Sequence, residues 1–126
     1  MSNDLQPIVL TVQADPSLAR LVRMTAANVA MLSSMSVDRV EDIRMAAEEA
    51  FIYVCSMAPL STVHVNFVAD PERVAMNVTA ENAPIQSDST DNEACAYADL
   101  ILQAVCDSFS KSETPFALDL ELKADC

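Results

Sequence analysis

The stretch Ser36–Met57, SVDRVEDIRMAAEEAFIYVCSM, constrains the fold of this chain more than any other. Val40, Ile43, Ala47, Ala50, Val54 and Ala58 recur at steps of three and four, which places them on one stripe of an α-helix. Ser36 suits the N-cap, and Asp38, Glu41 and Asp42 put negative charge near the positive end of the helix dipole. A second face carries Met45, Glu49, Ile52, Tyr53 and Ser56 and is apolar apart from one carboxylate. A helix with two such faces packs on a sheet through one and meets something else through the other. The fold must therefore supply a sheet, and the function lies in whatever meets Glu49 and Tyr53.

The flanking segments supply that sheet. Ile8 to Gln13 alternates as a strand, with Ile8, Leu10 and Val12 on one side. Asp15-Pro16 reads as an N-cap followed by proline at the first helical position. The helix it starts runs to about Ser33, with Leu18, Leu21, Val22, Ala26, Val29 and Leu32 on its buried side. After Pro59, Thr62–Ala69 and Arg73–Ala80 alternate about Asp70-Pro71-Glu72, which suits a type I turn, so the two form a hairpin. Val63, Val65, Phe67, Val74, Met76 and Val78 point inward, and His64 and Asn66 outward. Residues 81–89 are polar and irregular. Thr90-Asp91-Asn92-Glu93 has the spacing of a capping box, and a third helix follows to about Phe109, burying Tyr97, Ala98 and Leu102. Phe116 to Lys123 is a last strand. The expected order is β-α-α-β-β-α-β, in an α+β two-layer sandwich: a mostly antiparallel sheet with helices on one face. The chain is one domain spanning residues 1–126, with 1–6 loose.

Composition excludes several functions. A net charge of −12 repels nucleic acid and anionic membrane surfaces and leaves a basic protein as a compatible partner. There is no glycine, where average usage would give about nine. The chain thus has no Walker loop, no dinucleotide fingerprint and no glycine-opened phosphate cradle. The four cysteines show no C-x-x-C spacing, and His64 has no second histidine, so no metal site is expected. Cys55 and Cys106 read as small buried hydrophobes. No apolar run is of membrane-spanning length and the N-terminus lacks a signal-peptide pattern, so a cytoplasmic location is expected.

The element order, together with VEDIRMAAEEAFIYV over Val40–Val54, resembles the serine-kinase anti-sigma factors of the GHKL, or histidine-kinase-like, ATPase superfamily. The resemblance covers about residues 8 to 123 and implies the histidine-kinase-like ATPase fold. In that family this helix carries a Glu-x-x-x-Asn pair, a general base and a magnesium ligand. The glutamate matches Glu49, which the resemblance makes the candidate catalytic residue, and the asparagine position holds Tyr53. The family's adenine-contacting Asp-x-Gly falls on Glu81-Asn82-Ala83, and its lid glycines fall near Cys95, Ala96 and Ala98. Each nucleotide-contacting motif is therefore altered.

The residues themselves agree. From Glu81 to Phe109 there are six acidic side chains and no Lys or Arg, so a triphosphate there would meet like charge without open amides to bind it. Tyr53 is a poor ligand for magnesium. It reads either as a plug in a former nucleotide site or as an ordinary boundary aromatic. The resemblance also implies that an arginine on the first helix contacts a sigma factor; Arg20 matches it, with Arg23 beside it. Met24, Met31, Met35 and Met45 suit either core filling or an adaptable contact surface. The expectation is a regulatory protein that binds a sigma factor or an antagonist protein, with homodimers allowed, no cofactor and lost ATP binding. The alternative is an active serine/threonine kinase that uses ATP and Mg²⁺ on an anti-sigma factor antagonist.

Overall fold

A computed structural model describes residues 7–81, 93–113 and 116–126, without the side chains of 93–95 and 113. The elements are β1 (Ile8–Gln13), a 3-10 turn at Pro16–Leu18, α1 (Ala19–Ala30), α2 (Val37–Met57), β2 (Thr62–Asp70), β3 (Arg73–Glu81), α3 (Glu93–Val105), β4 (Ser108–Glu113) and β5 (Phe116–Lys123). The strands form one five-stranded antiparallel sheet in the order β1-β2-β3-β5-β4. The domain is α+β.

Strand register explains why one face is covered. Ile8, Phe67, Met76, Leu120 and Phe109 stand opposite one another across all five strands. Leu10, Val65, Val78 and Leu118 form the next row. These rows pack against Ile43, Ala47, Ala50, Phe51 and Val54 of α2 in one core. The intervening positions Thr11, His64, Asn66, Asn77 and Asp119 look to the opposite side. There Asn66 Nδ2 donates to Asn77 Oδ1 at 3.2 Å, and Asn77 Nδ2 donates to Asp119 Oδ1 at 2.7 Å. Cross-strand polar pairs of this kind suit a face with no helix on it. A shallow depression of about 390 Å³ lies on that side, lined by Asn66, Arg73, Asn77, Ser110, Asp119 and Glu121, among others.

The expected order needs one correction: the chain runs β-α-α-β-β-α-β-β. The third helix stops at Val105 rather than near Phe109, and Ser108–Glu113 pairs with β5. Helical periodicity carries the apolar pattern on to Phe109, but pairing places that ring opposite Leu120 on the core face, where a strand buries it as well as a helix would. Asp107 fixes the break, since its carboxylate accepts from the Arg39 guanidinium and from Lys123 N. Three expected core residues are also exposed: Leu21, Leu32 and Tyr97. The Thr90–Glu93 capping box lies outside the described residues and side chains.

Helix α2 begins as expected. Ser36 Oγ accepts from Arg39 N at 3.1 Å, and the same hydroxyl donates to Asp125 Oδ2 at 2.5 Å. Ser36 N donates to Asp125 Oδ1 at 2.8 Å, and these two Ser36 bonds hold the Asp125 carboxyl below the usual carboxylate range. Arg39 is mostly buried and donates to the carbonyls of Lys123 and Val105 as well as to Asp42, so it ties α2 to the ends of α3 and β5. Among the described residues no helix is long and apolar enough to cross a membrane.

A chain without glycine must turn by other means. At the β2–β3 turn, Asp70 Oδ1 accepts from Glu72 N at 2.8 Å and Arg73 N at 3.1 Å, so a side chain closes the loop with φ negative throughout. Among the described residues Leu60 alone has positive φ, at 66°, and its side chain is 94% exposed. The left-handed conformation strains a Cβ-bearing residue by about 1 kcal/mol, and this leucine recovers nothing by burial. Leu60→Gly is expected to raise stability by about 0.5 kcal/mol, with Leu60→Asn close behind. Urea unfolding of the two variants against wild type checks this, and a loss of stability in both contradicts it.

Candidate functional site

Glu49 and Tyr53 lie one turn apart on the side of α2 that faces α3. Tyr53 is 5% exposed, so it belongs to the core rather than the boundary. Its ring tilts against Phe116 at a centroid distance of 5.9 Å. Its hydroxyl accepts a 2.8 Å hydrogen bond from Lys111 Nζ, and that ammonium stands 5.3 Å from the ring centroid. Lys111 comes from β4, opposite Leu118 on the helix-covered side of the sheet. It also donates to Asp99 Oδ2 on α3 at 3.1 Å. One ammonium thus joins α2, α3 and β4. The other oxygen of Asp99, Oδ1, is shut off from solvent with no hydrogen-bond partner among the described residues.

The electrostatics of this cluster are closed. The Tyr53 hydroxyl, followed by Asp99, raises the Lys111 pKa above its ordinary value, against a lowering by burial. The amine is therefore a stable ammonium at neutral pH and not a nucleophile. Glu49 is half-buried, and its pKa is raised by burial first and then by the Glu48 carboxylate. It makes no hydrogen bond or ion pair among the described residues. A raised carboxylate is a usable proton acceptor, but no described side chain orients it as a general base.

The remaining sequence candidates scatter. Glu81 ends β3 on the uncovered side of the sheet, where its Oε1 lies 2.5 Å from His64 Nε2; His64 Nδ1 is 3.0 Å from Thr11 Oγ1. Its carboxylate is thus aimed away from the helices, because it falls in register with Thr62 and not with an inward residue. Ala98 is fully buried in the core, while Ala96 is exposed. Ala83 and the Cys95 side chain lie outside the described residues. Arg23 donates to Glu48 Oε1 at 2.9 Å and so clamps α1 to α2. Arg20 is exposed and makes no ion pair among the described residues. No group of metal-ligating side chains occurs among the described residues. The thiols of Cys55 and Cys106 are both pushed up to about 12, by burial above all, which makes them unreactive at neutral pH.

Lys111 and Asp99 are the members of the cluster that sequence reasoning does not find. Lys111 falls in a serine-rich run, SFSKSE, whose one large apolar residue does not declare a strand. Only pairing with β5 turns it toward Tyr53. The chain matches no protein-family model and no curated protein.

The cluster makes a pH-dependent prediction. A raised folded pKa means that the Lys111 contribution is fully present below its ordinary value of 10.5 and is lost as pH rises through the higher folded value. Tyr53→Phe is expected to cost about 1 kcal/mol at neutral pH by removing one hydrogen bond. Lys111→Met is expected to be destabilising at neutral pH and to approach wild type in strong alkali. Thermal melts across that range test both, and parallel curves for wild type and Lys111→Met would refute the assignment.

Proposed function

We propose that this chain is a regulatory protein of the anti-sigma kind that binds a protein partner, a sigma factor or an antagonist of one, and that no longer binds ATP. The histidine-kinase-like ATPase fold is part of the same proposal, and an antiparallel sheet with helices on one side is compatible with it. Tyr53 carries the reading. It stands where the resembled family has its magnesium-ligating asparagine. Its ring packs on Phe116, and its hydroxyl is already engaged by the Lys111 ammonium at 2.8 Å. A divalent cation at that position would face a fixed positive charge within a few ångström. The neighbouring carboxylate Asp99 is neutralised by the same ammonium and so is not free to ligate metal. The Glu81 side chain, at the adenine-contacting position, is bonded to His64 on the far side of the sheet. The Tyr53 and Asp99 contacts support a nucleotide site filled by the protein's own side chains, from which Glu81 is turned away.

Partner binding falls to Arg20, which is exposed and makes no ion pair among the described residues, while the other arginines are held by carboxylates. Thermal-shift titration with Mg²⁺ and ATP is expected to leave Tm unchanged. A ligand at a hundred times its Kd adds about 2.7 kcal/mol, so a clear rise overturns the loss of ATP binding and favours the serine/threonine kinase reading. Against sigma factors and antagonists of the source organism, Arg20→Ala is expected to weaken capture by roughly tenfold, about 1.4 kcal/mol. Capture unaffected by the substitution would remove Arg20 from the interface.

A further inference from the structure

The side of the sheet that no helix covers carries a second cluster of reactive side chains, apart from the Tyr53 site. Thr11, His64 and Glu81 stand on β1, β2 and β3, which are neighbours in the sheet. Thr11 is directly opposite His64, and Glu81 lies diagonally from His64 because it pairs with Thr62. The imidazole bridges the other two: Nδ1 is 3.0 Å from Thr11 Oγ1, and Nε2 is 2.5 Å from Glu81 Oε1. A carboxylate only accepts hydrogen bonds, so Nε2 carries the proton of the neutral ring. Nδ1 is then the acceptor, and the Thr11 hydroxyl donates to it. Hydroxyl, imidazole and carboxylate are thus joined in the order that activates a hydroxyl nucleophile, with the two ring nitrogens exchanged relative to the serine proteases.

Strand register supplies the part that such a group still needs. Ala14 N donates to Ser61 O at 2.9 Å, and this pair continues the β1–β2 register beyond Gln13 and Thr62. Bonded and non-bonded pairs alternate along an antiparallel ladder, so Val12–Val63 is a bonded pair and Thr11–His64 is not. A non-bonded pair has the closer side chains, which brings the hydroxyl to the ring. The Thr11 N–H therefore points away from β2, and β1 ends the sheet, so no described strand accepts from it. A free N–H on the nucleophile's own residue is the kind of donor that a developing oxyanion needs. Thr11 is exposed and His64 half-buried, so a substrate reaches the hydroxyl while the ring stays held. Val9, 54% exposed, is the next residue along β1 on the same face and offers a short acyl chain an apolar neighbour.

We propose that Thr11, His64 and Glu81 form an esterase site for small acyl esters. Thr11 Oγ1 attacks the carbonyl carbon and passes its proton to His64 Nδ1, while the carbonyl oxygen takes up negative charge beside the Thr11 N–H. The carbon–oxygen bond to the leaving alcohol then breaks, and Nδ1 returns the proton to that alcohol. Water gives a proton to the same nitrogen and attacks the acyl-threonine. The carboxylic acid leaves, and the proton goes back to Thr11 Oγ1. Glu81 is a positioning residue: it fixes the tautomer and compensates the ring while Nδ1 is protonated. The proposal does not rest on the regulatory reading.

Hydrolysis of para-nitrophenyl acetate by the full chain tests this. Thr11→Val keeps the β-branched shape and removes only the hydroxyl; it is expected to lower the rate at least tenfold or so with Tm unchanged, and His64→Gln by as much. Thr11→Ser is expected to retain activity. Glu81→Gln is expected to lower kcat with KM unchanged. Acid-quenched wild type is expected to carry acetyl on Thr11, located by peptide mass mapping. Asp119→Asn, on the same face but two strands from His64, is the control and is expected to leave the rate as it is. A rate that survives Thr11→Val comes from the imidazole alone and overturns the proposal. So does acetyl carried by His64 and not by Thr11, or a loss in Asp119→Asn as large as in Thr11→Val. Failure of sigma-factor capture leaves this assay unaffected, so the two readings fail separately.

Discussion

Burial of α2 on three sides is the constraint from which the rest of this structure follows. Ile43, Ala46, Ala47, Ala50, Phe51, Tyr53, Val54, Cys55 and Met57 are all buried. That set covers far more of the helix than a surface amphipathic helix would bury. The run of alanines lets neighbouring backbones come close, and Phe51 is fully buried in the core. With α1 on one flank, α3 on the other and β2, β3 and β5 beneath, α2 keeps only a narrow strip of solvent-facing residues. Arg39 and the Ser36–Asp125 clasp then fix where its N-terminus sits against the C-terminal strand and tail.

The same crowding decides the chemistry of the candidate site. A tyrosine on the α3 flank of a helix this enclosed has no route to solvent, so its hydroxyl must find a partner inside the protein. Lys111 provides it, and Asp99 compensates the charge. The result is a polar cluster that joins three elements, with Asp99 Oδ1 left without a partner among the described residues. An open catalytic site would leave a base or a nucleophile oriented toward a vacancy. Here Glu49 is the one nearby carboxylate without a described partner, and its raised pKa reflects burial and the like charge of Glu48 rather than a positioned substrate.

The outer surface of the helices carries the opposite message. Leucine and methionine at 21, 24, 31 and 32 have the spacing of buried residues, and periodicity alone assigns Leu21 and Leu32 to the core. The buried side of α1 is the one that carries Val22, Ala26 and Val29. The apolar residues beyond that side are left in water unless a second protein surface meets them. Exposure of these residues is legible only once the buried side of the helix is known.

By itself the sequence determined the alternation of β1, β2, β3 and β5, the Ser36 cap, the extent of α2 and the Asp70 turn, because each depends on neighbours within a few residues. It also settled that no glycine-lined phosphate cradle forms, since that depends on residue type alone. Tertiary structure decided the rest. Whether 108–113 continues a helix or adds a strand depends on β5, and the direction of Lys111 depends on that pairing. Whether Glu81 faces the helices or His64 depends on a register set by β2. Whether Leu21 is core or surface depends on how far the sheet extends. Each of these choices balances contacts between residues distant in sequence, and local pattern carries no record of which partner lies across the gap.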